Sequence, residues 1–138
     1  MKAVFISEFG GVDKLIYGDR PDLTASPGEV VLQVRASALN HLDLGVRSGR
    51  GRVPGDLPRI LGCDMAGEIA QIGPGVMGFG LGDRVLVDNR LKCDACDQCL
   101  QGLDQFCRKQ LRVGVDVDGA HAEFCKIPAV NVYKFRES

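Results

Sequence analysis

The stretch KCDACDQCLQGLDQFCRK, residues 92–109, carries cysteines at positions 93, 96, 99 and 107, the spacing CxxCxxCx7C. A CxxC step brings two sulfurs to one side of a tight turn, and a cysteine returning after a short loop completes four thiolates around a tetrahedral ion such as zinc. With Cys93, Cys96, Cys99 and Cys107 filling the four positions, no vertex is left for water or substrate, so the site reads as structural. Two other readings compete. Disulfides would need an oxidising compartment, yet residues 1–10, MKAVFISEFG, break their apolar run at Ser7 and Glu8 and do not form a secretory signal. An iron–sulfur cluster of the bacterial ferredoxin type would bring its last cysteine closer and follow it with proline, whereas Arg108 follows Cys107.

The rest of the composition is that of an ordinary globular protein. In 138 residues, 45% are hydrophobic and 25% charged, enough for one domain with a real core. Seventeen basic against eighteen acidic residues give a net charge of -1, and the absence of a basic stripe argues against a nucleic-acid partner. No apolar run is long enough to cross a bilayer, so no membrane is expected as a partner. The cytoplasm, which suits free thiols, is the expected location.

Outward from the cysteines the chain reads as short strands: 2–6 (KAVFI), 14–20 (KLIYGDR), and 29–39 (EVVLQVRASAL), whose alternation predicts a half-buried strand. Asn40 stands as a helix N-cap before a short helical turn that Gly49 ends, and the Gly- and Pro-bearing loop of residues 49–59 follows. Strands are expected at 67–72 and 83–87. Between them, Gly73, Gly75 and Gly78 satisfy GxGxxG, but no helix pattern follows, so a long hairpin turn is the better reading than a dinucleotide fingerprint. Residues 111–116, 121–128 and 130–135 read as further strands. Many short strands, close turns and almost no helix predict an irregular all-β barrel with the cysteine lobe, residues 92–108, as an excursion folded around its ion.

Four segments carry a resemblance. PGEVVLQVRASALNHLDL (27–44), LGCDMAGEIAQIGPGVMGFGLGDRVLV (61–87), the cysteine lobe and DGAHAEFCKIPA (118–129) together resemble the N-terminal GroES-like domain of the zinc-containing medium-chain alcohol dehydrogenases and their quinone oxidoreductase relatives. The resemblance implies a mainly β, GroES-like barrel over residues 1–138. It also implies an oxidoreductase passing hydride between NAD or NADP and a small-molecule alcohol, carbonyl or quinone/enone.

The departures bear on the mechanism. Where the alcohol dehydrogenases hold a catalytic zinc with a Cys and a His-Glu pair, this chain has Asn40 and Cys63-Asp64. Asparagine is a poor zinc ligand. Asn40 followed by Asp43 is similar to the quinone oxidoreductase branch, in which no catalytic metal is used. Cys63 reads either as a thiolate ligand backed by Asp64 or as a small buried residue beside Gly62. Without a metal, hydrogen bonds must polarise the carbonyl. The resemblance then makes Asn40, Asp43, Cys63 and Asp64 the catalytic candidates, with Asn40 a donor and Asp43 orienting its neighbours, and makes His41 the cofactor-phosphate candidate. His121 reads as structural, and Cys125 as core. The family continues into a Rossmann cofactor domain, expected as a partner within the same protein, so this chain is expected to be inactive alone and to allow a homo-oligomer when joined to it. A different class of function is a stand-alone, zinc-stabilised binding or assembly module of the same fold.

Overall fold

The long strand β3 (Glu29–Ala38) runs through the middle of the molecule, with β5 (Asp64–Ile72) on one side and β9 (Phe124–Pro128) on the other, both antiparallel to it. The computed structural model describes residues 1–50 and 56–135. The loop expected at 49–59 therefore lies in part outside the described residues. With β6 (Arg84–Val87) and β10 (Val132–Lys134), these strands make a five-stranded sheet in the order β10-β6-β5-β3-β9. A second sheet, β2-β1-β4, is built from β1 (Lys2–Ile6), β2 (Ile16–Asp19) and β4 (Arg59–Ile60). The two sheets are stitched where β1 meets the lead-in to β9: Val4 N–H donates to His121 O at 2.7 Å and Glu123 N–H to Lys2 O at 3.0 Å. Mainly antiparallel strands curl in this way into the irregular barrel expected from the sequence. Among the described residues, helix is confined to α1 (His41–Ser48), α2 (Asp97–Leu100) and three short 3-10 turns.

Period-two alternation did not describe β3. Val30, Val31 and Leu32 are all buried, whereas residues 35–38 are exposed on both faces. Two causes are visible in the pairing. β9 covers only Glu29–Gln33, and register shifts between Val31 and Leu32 and between Val34 and Ala36 break the inward-outward order. The exposed C-terminal half leads directly to Asn40. β5 begins at Asp64, three residues earlier than its pattern indicated, and 111–116 shortens to β8 (Leu111–Arg112), since Asp116 folds back to accept the Arg112 N–H at 2.7 Å. Gly73, Gly75 and Gly78 lie in the turn between β5 and β6, which pair as a hairpin.

Two apolar clusters fill the barrel. The larger gathers Val30, Leu32, Met65, Ile69, Val85, Val113, Cys125, Ile127 and Val132, and the smaller Ile6, Val46, Leu61 and Val115. Val46 reaches the smaller cluster because α1 turns one apolar face inward between the capping residue Asn40 and Gly49, whose φ of 70° ends the helix in the left-handed region. Ile127→Ala, at a fully buried position, is expected to lower stability by about 2–5 kcal/mol in urea unfolding while leaving the metal content of the cysteine lobe unchanged.

Candidate metal centre and candidate cleft

The lobe rises from a two-stranded ribbon, β7 (Arg90–Leu91) against β8 (Leu111–Arg112). Asp94, with a φ of 51°, turns the chain after Cys93; α2 follows Cys96; and Gly102, with a φ of 75°, reverses it towards Cys107. Two ion pairs brace these turns, Arg108 to both oxygens of Asp97 at 2.8 and 2.9 Å and Lys92 to Asp104 at 2.6 Å. The Arg108 guanidinium holds the Asp97 carboxyl down at about 2.

The four sulfurs of Cys93, Cys96, Cys99 and Cys107 lie within 4.8 Å of one another, with Cys96–Cys99 at 3.5 Å and Cys93–Cys107 at 3.6 Å. Thiolates at about 2.3 Å from a tetrahedral zinc stand about 3.8 Å apart, so the cluster fits that ion. All six cysteines are free, which removes the disulfide reading. The backbone N–H groups of Cys99 and Arg108 bring the Cys96 thiol down to about 6, whereas burial and the neighbouring sulfur of Cys96 push Cys99 up to about 12. A bound ion would hold both as thiolates.

A second constellation lies where β3, α1 and β5 meet. The Asp64 carboxylate accepts the Asn40 Nδ2 amide at 2.9 Å on one oxygen and the Asn89 Nδ2 amide at 2.9 Å on the other. Asn40 Nδ2 also contacts the Cys63 sulfur at 3.4 Å, and the Cys63 thiol leans on Asp64 at 3.7 Å. Burial, then the Asp64 and Asp43 carboxylates, raise the Cys63 thiol above its ordinary value, so the sulfur is neutral. Asp43 lies beneath, 7% exposed, and accepts the backbone N–H of Asn40 at 2.7 Å and of Gly62 at 3.1 Å. Asn40, Asp43, Cys63 and Asp64 thus come together. His41 does not join them; it is exposed on the first turn of α1, beside a hollow with Arg47 and Arg50.

These residues do not fit a metal ion as they stand. Both Asp64 oxygens are taken by amide hydrogens, Asn40 turns its NH2 group inward, and only the single Cys63 sulfur is left as a ligand. Among the described residues, the lobe is the one group of three or more His, Cys, Asp or Glu side chains arranged to hold an ion.

Two participants were not visible in the sequence. Asn89 sits on the turn between β6 and β7, fixed because buried Asn131 donates to Arg90 O at 2.9 Å and Asp88 N–H donates to Asn131 O at 2.9 Å. Nothing near Asn89 in sequence signals Asp64, which is twenty-five residues earlier. His121, read as structural for want of a partner nearby, has partners from two distant elements, Ser37 Oγ at 3.0 Å from Nδ1 and Asp43 Oδ2 at 3.7 Å from Nε2.

Residues 26–137 match the family described as the alcohol dehydrogenase GroES-like domain. The chain is 34% identical over 136 residues to an L-threonine 3-dehydrogenase of Pyrococcus horikoshii, covering 97% of this chain and 38% of that protein. It is also 34% identical to an alcohol dehydrogenase of Geobacillus stearothermophilus, covering 100% and 41%. Among solved structures, an NAD-dependent alcohol dehydrogenase superposes with a TM-score of 0.93 at 37% identity, covering 97% of this chain and 39% of that one. A cobalt- and zinc-bound thermostable alcohol dehydrogenase from Pyrobaculum aerophilum gives 0.91 at 35%, covering 100% and 42%. The chain therefore spans about two fifths of the length of these relatives.

Metal analysis of the purified chain is expected to give one zinc per molecule. Cys99→Ser should weaken its binding at least about 100-fold, the upper end of what loss of a mere supporting contact costs, and disorder residues 92–108 while the barrel stays folded by near-ultraviolet spectroscopy. A second metal at the cleft should appear only when ligands are supplied, as in Asn40→Cys combined with Cys63→His; two zincs in the unaltered chain would contradict the fit argued above.

Proposed function

The chain belongs to the alcohol dehydrogenase GroES-like domain family, and from that premise we propose that it is the substrate-side domain of a nicotinamide-dependent oxidoreductase acting on a small alcohol, carbonyl or enone. The observation that carries this reading is the coincidence, in one chain, of the family barrel, the four-sulfur lobe and a polar cluster opening beside an exposed strand end. An NAD-dependent alcohol dehydrogenase among the similar structures supports NAD as the cofactor. A cofactor-binding domain of the same protein completes the cleft in this proposal, because hydride transfer needs the nicotinamide held at near-attack distance from the substrate carbon.

In the lobe, Cys93, Cys96, Cys99 and Cys107 would hold zinc, which when bound supplies folding energy and no catalysis. At the cleft, the chain's own groups act. Asn40 Nδ2 spends one hydrogen on Asp64 at 2.9 Å and the other on the weaker contact to Cys63 sulfur at 3.4 Å. A substrate oxygen that replaces the sulfur gains an oriented amide donor without breaking the link to Asp64. Asp64 keeps that amide aimed, and Asn89 holds Asp64 from the other side. Asp43 fixes the start of α1 and the Gly62 backbone, so that Asn40 and Cys63 keep their spacing. In this reading the donor set, whose groups are already committed to one another and do not fit a metal ion, favours the quinone or enone branch over alcohols. His41, exposed at the first turn of α1, is free to meet a cofactor phosphate.

Isothermal titration of NADH or NADPH into residues 1–138 is expected to give no binding tighter than about 1 mM, and the chain alone should leave NAD unreduced with threonine, simple alcohols or enones. Joined to a nicotinamide-binding domain it should turn over at least one of these classes, and Asn40→Ala should then lower kcat by about 100-fold with little change in KM. Micromolar binding to the chain alone would return Gly73, Gly75 and Gly78 to consideration as a nucleotide loop.

A further inference from the structure

The imidazole of His121 is not a filler of space. Its Nδ1 lies 3.0 Å from the Ser37 hydroxyl, and its Nε2 points at the Asp43 carboxylate at 3.7 Å. That Nε2 is shielded from solvent and has no hydrogen-bond partner, the Asp43 oxygen standing just beyond hydrogen-bonding reach. The ring also lies flat on Gly62: a Cβ there would stand 2.6 Å from Nδ1, and Gly62 has a φ of 93°. The backbone joins in, His121 N–H donating to Leu61 O at 2.9 Å.

The structure assigns His121 as a positioning residue that, as its Nε2–H tautomer, clamps Asp43 and with it the Gly62–Asp64 segment. The tautomer follows from electrostatics. If Nδ1 carried the proton, Nε2 would turn a bare lone pair towards a buried carboxylate with no donor between them, a repulsive arrangement that leaves Nε2 unsatisfied. With the proton on Nε2, the Ser37 hydroxyl donates to Nδ1 and the Nε2–H dipole faces Asp43 Oδ2 at 3.7 Å, a favourable electrostatic contact one small shift short of a hydrogen bond. Asp43 has backbone donors on both oxygens, Gly62 N–H on Oδ1 and Asn40 N–H on Oδ2, and His121 Nε2–H adds a positive dipole beside Oδ2.

A Ser–His–Asp row also suggests a proton path inward from exposed Ser37. The far end excludes it. Among the described residues, the hydrogen bonds beyond Asp43 come from the backbone N–H groups of Asn40 and Gly62, which pass no proton to the cleft. What the row transmits is position: Gly62 is the residue before Cys63, and Asn40 is the side chain that aims at Asp64.

The weight of the clamp for turnover rests on the cleft reading proposed above, but its geometry does not, and the test reads the geometry. In the zinc-loaded chain, nitrogen-15 chemical shifts of His121 are expected to show a protonated Nε2 and an unprotonated Nδ1. His121→Phe, which keeps a ring against Gly62 and removes both polar contacts, should speed hydrogen exchange of the Gly62 amide about tenfold relative to the Ile69 amide, whose bond to Asp83 O lies in the other part of the barrel. His121→Gln, which can donate to Asp43 and accept from Ser37, should restore Gly62 protection to within about twofold. A protonated Nδ1 in the unaltered chain overturns the assignment even if the Phe variant fails to fold. Equal acceleration of Gly62 and Ile69 in both variants would make His121 a packing residue only. Absence of dehydrogenase activity in the chain joined to a nicotinamide-binding domain, with these signatures present, would remove the function and leave the clamp.

Discussion

Everything near the cleft depends on how closely two backbones approach at Leu61–Gly62. The segment leading into β9 lies directly against it, with Gly119 N–H donating to Ile60 O, Ala120 N–H to Gly62 O and His121 N–H to Leu61 O, each at 2.9 Å. The contact leaves no room for side chains: a Cβ on Gly114 would stand 2.6 Å from Gly62 O. Leu61 belongs to the smaller apolar cluster and Ala120 to the larger, so this seam joins the two cores as well as the two sheets. It also delivers Cys63 and Asp64 to the start of β5. Burying Asp43 beside the seam costs desolvation energy that its backbone donors offset, which is why a carboxylate survives at 7% exposure.

The lobe is organised by a different force. Leu100 and Phe106 are 75% and 64% exposed, so residues 92–108 have no apolar core to hold them, and the ion takes over that role with an apparent binding energy of about 10 kcal/mol or more. The lobe is nonetheless tied to the cleft through its base. Val113 N–H donates to Asn89 O at 3.0 Å, Asn131 holds Arg90, and the Asn89 side chain reaches Asp64. The turn that carries the lobe is thus the turn that supplies one of the two amides on the cleft carboxylate.

What the sequence made legible was local. The cysteine spacing, the Asn40 cap, the Gly49 stop and the β5–β6 hairpin each depend on residues within a turn or two, and their patterns survive translation into structure. The half-buried character expected for β3 failed because burial there is decided by where β9 ends and where two register shifts fall, and neither is written in β3 itself. Asn89 and His121 were invisible for the same reason. Their partners, Asp64 in one case and Ser37 and Asp43 in the other, come from elements that only the fold brings together. Residue type gave no warning: an asparagine after a strand reads as a turn, and a histidine inside DGAHAEF reads as a strand position.

Asp43 and Asp64, some twenty residues apart, use the same chemistry to opposite ends. Each carboxylate is satisfied on both oxygens by nitrogen donors. Those of Asp43 include two backbone N–H groups, whose release would require α1 or the Gly62 segment to move, and the residue is buried. Those of Asp64 are the side-chain amides of Asn40 and Asn89, which rotate about single bonds, and the residue is exposed. Backbone donors on a buried acid make a fixed joint, because leaving either group unmet carries the full desolvation penalty. Side-chain amides on an exposed acid make an adjustable one, because water or an entering oxygen can take the place of either. The cleft is therefore rigid at its floor and yielding at its rim, the division that a site needs if it is to keep its geometry while exchanging one small molecule for another.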